Sequence, residues 1–165
     1  MKKRIAINGF GRIGRLTYRE LLKYPQLELV AVNDLTDIPT LVHLLKYDSA
    51  HNKFEKEVKI GSDCFIIEGQ EVKCFAIKDP AQLTWKDLQI DIVLECTGLY
   101  LTAEAAGAHL AAGAQKVILS APPKDSSIPT YVMGVNEKEI DFKKTAILSN
   151  ASCTTNCLAP LVKII

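Results

Sequence analysis

Short apolar runs alternate with helical spacings along this chain. Residues 4–8, "RIAIN", read as a brief buried strand, and "RIGRLTYRELLK" (12–23) sets Ile13, Leu16, Tyr18, Leu21 and Leu22 at near-helical intervals. Pro25 ends that helix. "LELVAVND" (27–34) is again a strand, too aliphatic to face water on one side. A second helix is predicted over 38–46, with Pro39 in its first turn. The stretch 54–77 breaks the rhythm: "EVKI", "CFII" and "EVKCFAI" are separated by "GSD" and "EGQ", which predicts an antiparallel excursion. Buried strands return at 90–98, 116–122 and 145–150. A helix over 101–113 stops at Gly113, and "SCTTNCLAPLVKII" opens a last one.

Strands that are apolar throughout and alternate with helices predict an α/β fold: a doubly wound, mostly parallel sheet covered on both faces. Ligands of such sheets bind beyond the carboxyl ends of the strands. Asn8, Asp34, Thr97, Ser120 and Asn150 fall at those ends.

Composition narrows the function classes. The 165 residues suit one domain with a full core. Twenty Lys and Arg against 19 Asp and Glu leave a formal +1 with no cationic cluster, which argues against nucleic-acid and anionic-membrane partners. The apolar run after "MKKR" is cut by Asn8 and Gly9, too early for a secretory signal. No window reaches the ~18 apolar residues of a membrane span. Five cysteines, at 64, 74, 96, 153 and 157, are an odd set that predicts reduced thiols and a cytoplasmic location.

"INGFGRIGR" carries Gly9, Gly11 and Gly14 in GxGxxG spacing, between a strand and a helix. The first glycine permits the tight turn, the second lets a pyrophosphate approach the backbone, and the third lets helix and strand pack closely. Helix N–H groups then meet the phosphates. Asp34 ends the second strand at the spacing of an acidic ribose ligand. A carboxylate there accepts from both ribose hydroxyls and repels a 2′-phosphate, so the dinucleotide expected in this Rossmann arrangement is NAD rather than NADP.

Cys153 opens the last helix between Ser152 and Thr154. A helix N-terminus stabilises a thiolate, and the same N–H groups and hydroxyls can hold a phosphate oxyanion. The alternative is a buried cysteine filling space beside capping hydroxyls. Cys157, one turn on, is expected to pack inward. A Cys153–Cys157 metal pair lacks a second pair of ligands, so no metal is expected.

"INGFGRIGR", "ND" (33–34), "HLLKYDS" (43–49), "ECTG" (95–98), "SAP" (120–122) and "ASCTTNCLAP" (151–160) together resemble the phosphorylating glyceraldehyde-3-phosphate dehydrogenase family, in order along the whole chain. The resemblance implies an N-terminal NAD domain, a C-terminal catalytic domain and a homotetramer acting in glycolysis. It implies that Cys153 is the nucleophile, and that Ser152 and Thr154 contact glyceraldehyde 3-phosphate and inorganic phosphate. The backbone of Arg12 and Ile13 would meet the pyrophosphate and Asp34 the ribose. Lys78 would lie near the adenine, at a position often filled by arginine. Thr97 and Ser120 would line the nicotinamide half.

The resemblance also implies a histidine base some twenty residues beyond the cysteine, where this sequence has already ended. His43 and His109 fall within helices and are expected to be packed and hydrogen-bonded, and His51 falls in a loop. Residues 1–150 are therefore expected to be the cofactor domain and 151–165 the first helix of a catalytic domain. The alternatives are an erythrose-4-phosphate dehydrogenase and an NAD-binding module without catalysis. A redox-sensing or scaffolding role built on Cys153 would be an addition to either.

Overall fold

The computed structural model describes residues 2–165. Strand β1 (Lys3–Asn8) leads through the glycine turn into α1 (Arg12–Leu21), and β2 (Leu27–Asn33) into α2 (Ile38–Lys46). Strands β3 (Val58–Ile60), β4 (Cys64–Ile67) and β5 (Gln70–Phe75) follow. A 3-10 turn at Pro80–Gln82 precedes β6 (Ile92–Glu95), α3 (Ala103–Ala111), β7 (Lys116–Leu119), β8 (Ile147–Ser149) and α4 (Cys153–Ile164). The helix predicted over 38–46 has those bounds. Asp37 caps it, accepting from the Thr40 N–H at 3.0 Å.

One eight-stranded sheet runs in the order β3-β4-β5-β2-β1-β6-β7-β8. The excursion predicted over 54–77 pairs antiparallel within itself, and β5 then joins β2 in parallel. Glu68 and Gly69 turn β4 into β5, both with positive φ, the geometry of a two-residue hairpin whose twist matches its strands. The chain winds outward from β1 through β2 and returns to β6 on its other side. The switch point therefore lies between β1 and β6, and the crevice opens at their carboxyl ends.

Alternate residues of β1 serve opposite faces. Ile5 and Ile7 pack with Phe10, Tyr18, Leu41 and Phe65 under α1 and α2. Ala6 packs with Trp85, Ile90, Val93 and Ala112 on the other face. A bulge opposite Ile5 and Ala6 inserts Val30 into β2. Ile13, counted in the apolar stripe of α1, is instead half exposed, because it sits at the open tip of the helix.

The two halves of the sheet are not covered alike. α3 packs on β7, burying Ala106 against Val117 and Leu119. The opposite face carries Leu94, Ile118 and Leu148. Chain over 130–142, irregular apart from a 3-10 turn at Glu137–Glu139, borders it in place of an α-helix, leaving a largely apolar cavity of about 320 Å³. Among the described residues no helix is long and apolar enough to cross a membrane.

Candidate functional site

At the switch point Gly9 adopts φ +88°, a region open to glycine at little cost. A methyl group on Gly14 would lie 2.2 Å from the Gly9 carbonyl oxygen, so the third glycine is what lets α1 sit on the turn. Gly11 differs. A Cβ there would meet nothing within 4 Å, and this residue is the N-cap of α1 with no side chain bonded to the helix end. The first N–H groups of α1 therefore face open space, with no acidic residue in the first turn. α2, α3 and α4 begin instead with capping side chains, from Asp37, Thr102 and Ser152.

Asp34 stands beside this turn. Its Oδ2 accepts the Phe10 N–H at 2.8 Å and its Oδ1 the Thr36 N–H at 3.0 Å. A carboxylate has about four acceptor positions, so room remains on both oxygens for ribose hydroxyls. Asn8, Gly9, Asn33, Asp34, Lys78 and Thr97 line a cleft of about 290 Å³, with Leu35, Leu99 and Tyr100 on its rim. The Tyr100 hydroxyl donates to the Lys78 carbonyl at 2.8 Å, fixing the 78 segment through its backbone. Open space at Gly11, uncapped N–H groups and a carboxylate across the turn fit a dinucleotide.

Thr97, expected beside the nicotinamide half, lines the same cleft as Asp34 and Lys78. Its hydroxyl donates to Glu95 Oε1 and accepts the Leu99 N–H at 3.1 Å. Ser120 lies elsewhere along the sheet edge, lining the apolar cavity with Cys96 and Asn150. Burial pushes the Cys96 thiol up to about 12, against the pull of its hydrogen bond with Ser120.

The connection from β8 to α4 is short and heavily constrained. Ala151 is buried at φ 62°, a left-handed conformation held by its N–H on Ser149 Oγ at 3.0 Å. Ser152 caps the helix, accepting from the Thr155 N–H at 3.0 Å, and its hydroxyl lies 2.9 Å from that of Thr154. Asn156 reaches back to the Asn150 carbonyl at 2.7 Å. Cys153 is thereby fixed as the first residue of α4. Its thiol is exposed, next to the unpaired N–H groups of that first turn. Among the described residues this thiol fills no space in the core of the sheet, being exposed with the rest of α4.

Two expectations are corrected here. Cys157 does not pack inward; it is exposed, because α4 buries none of its side chains against the rest of the chain. His43 is exposed and lies against Tyr47, with ring centroids 4.9 Å apart and planes tilted by 45°, because it projects from the outer face of α2 while Leu41, Val42 and Leu45 turn inward. His109 is packed and hydrogen-bonded as expected, and His51 pairs with Asp48 at 3.1 Å in its loop. Among the described residues no cluster of three potential metal ligands occurs.

Residue-type reasoning missed Glu95, although the signal was present: a lone carboxylate ending an otherwise apolar strand. It is 1% exposed, and it ties Asn8, Thr97 and His109 together beneath the cleft.

Comparison with known proteins agrees with this geometry. Residues 3–103 match the family model described as glyceraldehyde 3-phosphate dehydrogenase, NAD binding domain. The chain is 53% identical over 164 residues to the glyceraldehyde-3-phosphate dehydrogenase of Thermotoga maritima, covering 98% of this chain and 49% of that protein. It is 52% identical over 162 residues to that of Clostridium acetobutylicum, covering 98% and 48%. With that of Geobacillus stearothermophilus it shares 51% over 165 residues, covering 100% and 49%. The chain thus spans about half the length of these curated relatives. By the match of its glycine-turn domain and by identity along its whole length, the chain belongs to the glyceraldehyde-3-phosphate dehydrogenase family.

Proposed function

We propose that this protein is a cytoplasmic, NAD-dependent phosphorylating dehydrogenase acting on glyceraldehyde 3-phosphate, with Cys153 as nucleophile and a homotetramer as its assembly. One observation carries the reading. An exposed thiol is pinned at the first residue of a helix that starts just beyond β8, on the sheet edge where the glycine turn and Asp34 open the nucleotide cleft.

Residues 1–150 form the cofactor domain in this reading, and 151–165 begin a catalytic unit. The absence of any buried side chain in α4 supports that division. Gly9, Gly11 and Gly14 shape the turn. The N–H groups of Arg12 and Ile13 hold the pyrophosphate, Asp34 the ribose, and Lys78 lies toward the adenine. Thr97 supports the cleft, and Ser120 lies farther along the edge toward the nicotinamide half. When bound, NAD supplies the hydride acceptor.

Cys153 Sγ adds to the aldehyde carbon of the substrate, forming the carbon–sulfur bond of a thiohemiacetal. Ser152 and Thr154 hydroxyls and the first-turn N–H groups of α4 hold the attacking inorganic phosphate. Loss of the hydride from the thiohemiacetal carbon, for which NAD would be the acceptor, and of its hydroxyl proton would leave a thioester, from which the phosphate oxygen displaces Sγ, releasing 1,3-bisphosphoglycerate and regenerating the thiolate. None of the three histidines is assigned as base. His109, buried on α3, is occupied by Glu95 and Trp85, His43 lies against Tyr47 on the outer face of α2, and His51 pairs with Asp48.

The test is turnover by the protein with its catalytic half present. NADH should form only when the phosphosugar aldehyde, NAD and phosphate are all supplied, and its absence with that trio overturns the reading. Faster turnover of erythrose 4-phosphate would reassign the substrate. The 165 residues by themselves are proposed to bind NAD without turnover, and steady-state NADH formation by them would refute that.

A further inference from the structure

Beneath the cleft a chain of buried polar side chains crosses three strand ends. Glu95 Oε2 accepts from Asn8 Nδ2 at 2.6 Å and from His109 Nε2 at 2.9 Å. Its Oε1 accepts from the Thr97 N–H at 2.8 Å and from the Thr97 hydroxyl. All four acceptor positions face donors, the pattern of an ionised carboxylate. The tautomer of His109 is fixed by Trp85, whose indole N–H can only donate and reaches His109 Nδ1 at 3.1 Å. The imidazole is therefore neutral, with its proton on Nε2, and it donates to Glu95.

The chain continues outward. Asn8 Oδ1 accepts from Asn33 Nδ2 at 2.7 Å, and Asn33 brackets Ile77, accepting its N–H at 2.9 Å and donating to its carbonyl at 2.8 Å. Asn8, Asn33, Ile77 and Thr97 all line the nucleotide cleft, whereas Glu95 and His109 lie wholly beneath it. Nothing about folding an apolar sheet calls for an ionised group buried at the end of one of its strands, since well-packed hydrophobic residues of similar volume do as well or better. What this group does is fix the spacing of β1, β2 and β6 at the place where they form the floor of the cleft.

We infer that Glu95, held by His109 and Trp85, is a positioning residue that sets the shape of the adenosine half of the nucleotide cleft through Asn8, Asn33 and Thr97. The inference rests on the NAD reading above for the identity of the ligand, but the geometry of the clamp does not depend on it.

Two measurements test it. Glu95→Gln puts an amide NH₂ against donors whichever way the side chain is turned, so at least one buried pair must break. NAD and ADP-ribose should each bind at least about tenfold more weakly to this variant. The core variant Val58→Ala, buried on β3 at the far edge of the sheet and remote from the clamp, should stay within about twofold of the parent. Affinity of folded Glu95→Gln within twofold of the parent overturns the proposal, as does an equal loss in Val58→Ala.

The second measurement needs no variant. In the ligand-free protein the amides of Thr97 and Ile77, which donate to buried side chains, should exchange with solvent as slowly as those of β1. Loop-like exchange at either position overturns the clamp. If the parent fails to bind NAD, the cofactor reading falls, and amide exchange still decides the role of Glu95.

Discussion

Gly9 and Thr97 touch across the switch point: a methyl group on Gly9 would lie 2.8 Å from both Thr97 Cγ2 and Thr97 N. Since φ of Gly9 is also +88°, Gly9→Ala meets steric and conformational strain together. It should cost about 3 kcal/mol of unfolding free energy by denaturant titration. Gly14→Ala should cost at least as much, because its new methyl would meet the Gly9 carbonyl oxygen, an atom of the backbone that cannot swing aside.

Gly11→Ala should behave in the opposite way. Its φ of −71° suits any residue and its Cβ would project into open space. Unfolding free energy should stay within about 0.5 kcal/mol of the parent. NAD affinity should nevertheless fall by about tenfold or more, since the methyl group occupies the path of the pyrophosphate. Calorimetric titration beside a melting curve separates the two effects. Undiminished NAD binding by Gly11→Ala would place the pyrophosphate elsewhere.

The fold was legible because the strands flanking the crevice are largely apolar runs and two of the helices carry a stop: Pro25 after α1, Gly113 after α3. Glycine spacing and Asp34 located the cleft because backbone geometry and one carboxylate suffice to define it. Three things were hidden. The half-exposed position of Ile13 follows from where α1 meets the turn, which periodicity does not encode. The exposure of Cys157 follows from α4 having no residue buried within the described residues, whereas its sequence pattern alone reads as a helix to be covered. Glu95 bonds to residues 87 positions before it and 14 after it, pairings that emerge only when β1, β6 and α3 are placed side by side.

Asp34 should govern the choice between NAD and NADP through its charge. Asp34→Asn keeps an oxygen for the Phe10 N–H, found at 2.8 Å, but removes the repulsion of a 2′-phosphate. The ratio of NADP to NAD dissociation constants should shrink by roughly an order of magnitude. Because the cleft is open to solvent, added salt should narrow the same ratio in the parent and change it little in Asp34→Asn. A parent ratio insensitive to salt would assign the discrimination to shape instead of charge.

The five thiols should separate by reactivity. Burial is the main force pushing Cys74 and Cys96 up to about 12 and also raises Cys64, so near pH 7 roughly one in 10⁵ of the Cys74 and Cys96 thiols is ionised. Cys153 and Cys157 are exposed, but only Cys153 stands at the N-terminal end of α4, beside the free N–H groups of its first turn. Iodoacetamide at neutral pH, followed by peptide mass spectrometry, should therefore modify Cys153 first, Cys157 more slowly, and the other three only on unfolding. Equal labelling of the two would mean that the helix terminus does not activate Cys153, and the proposed nucleophile would have to draw its activation from another group.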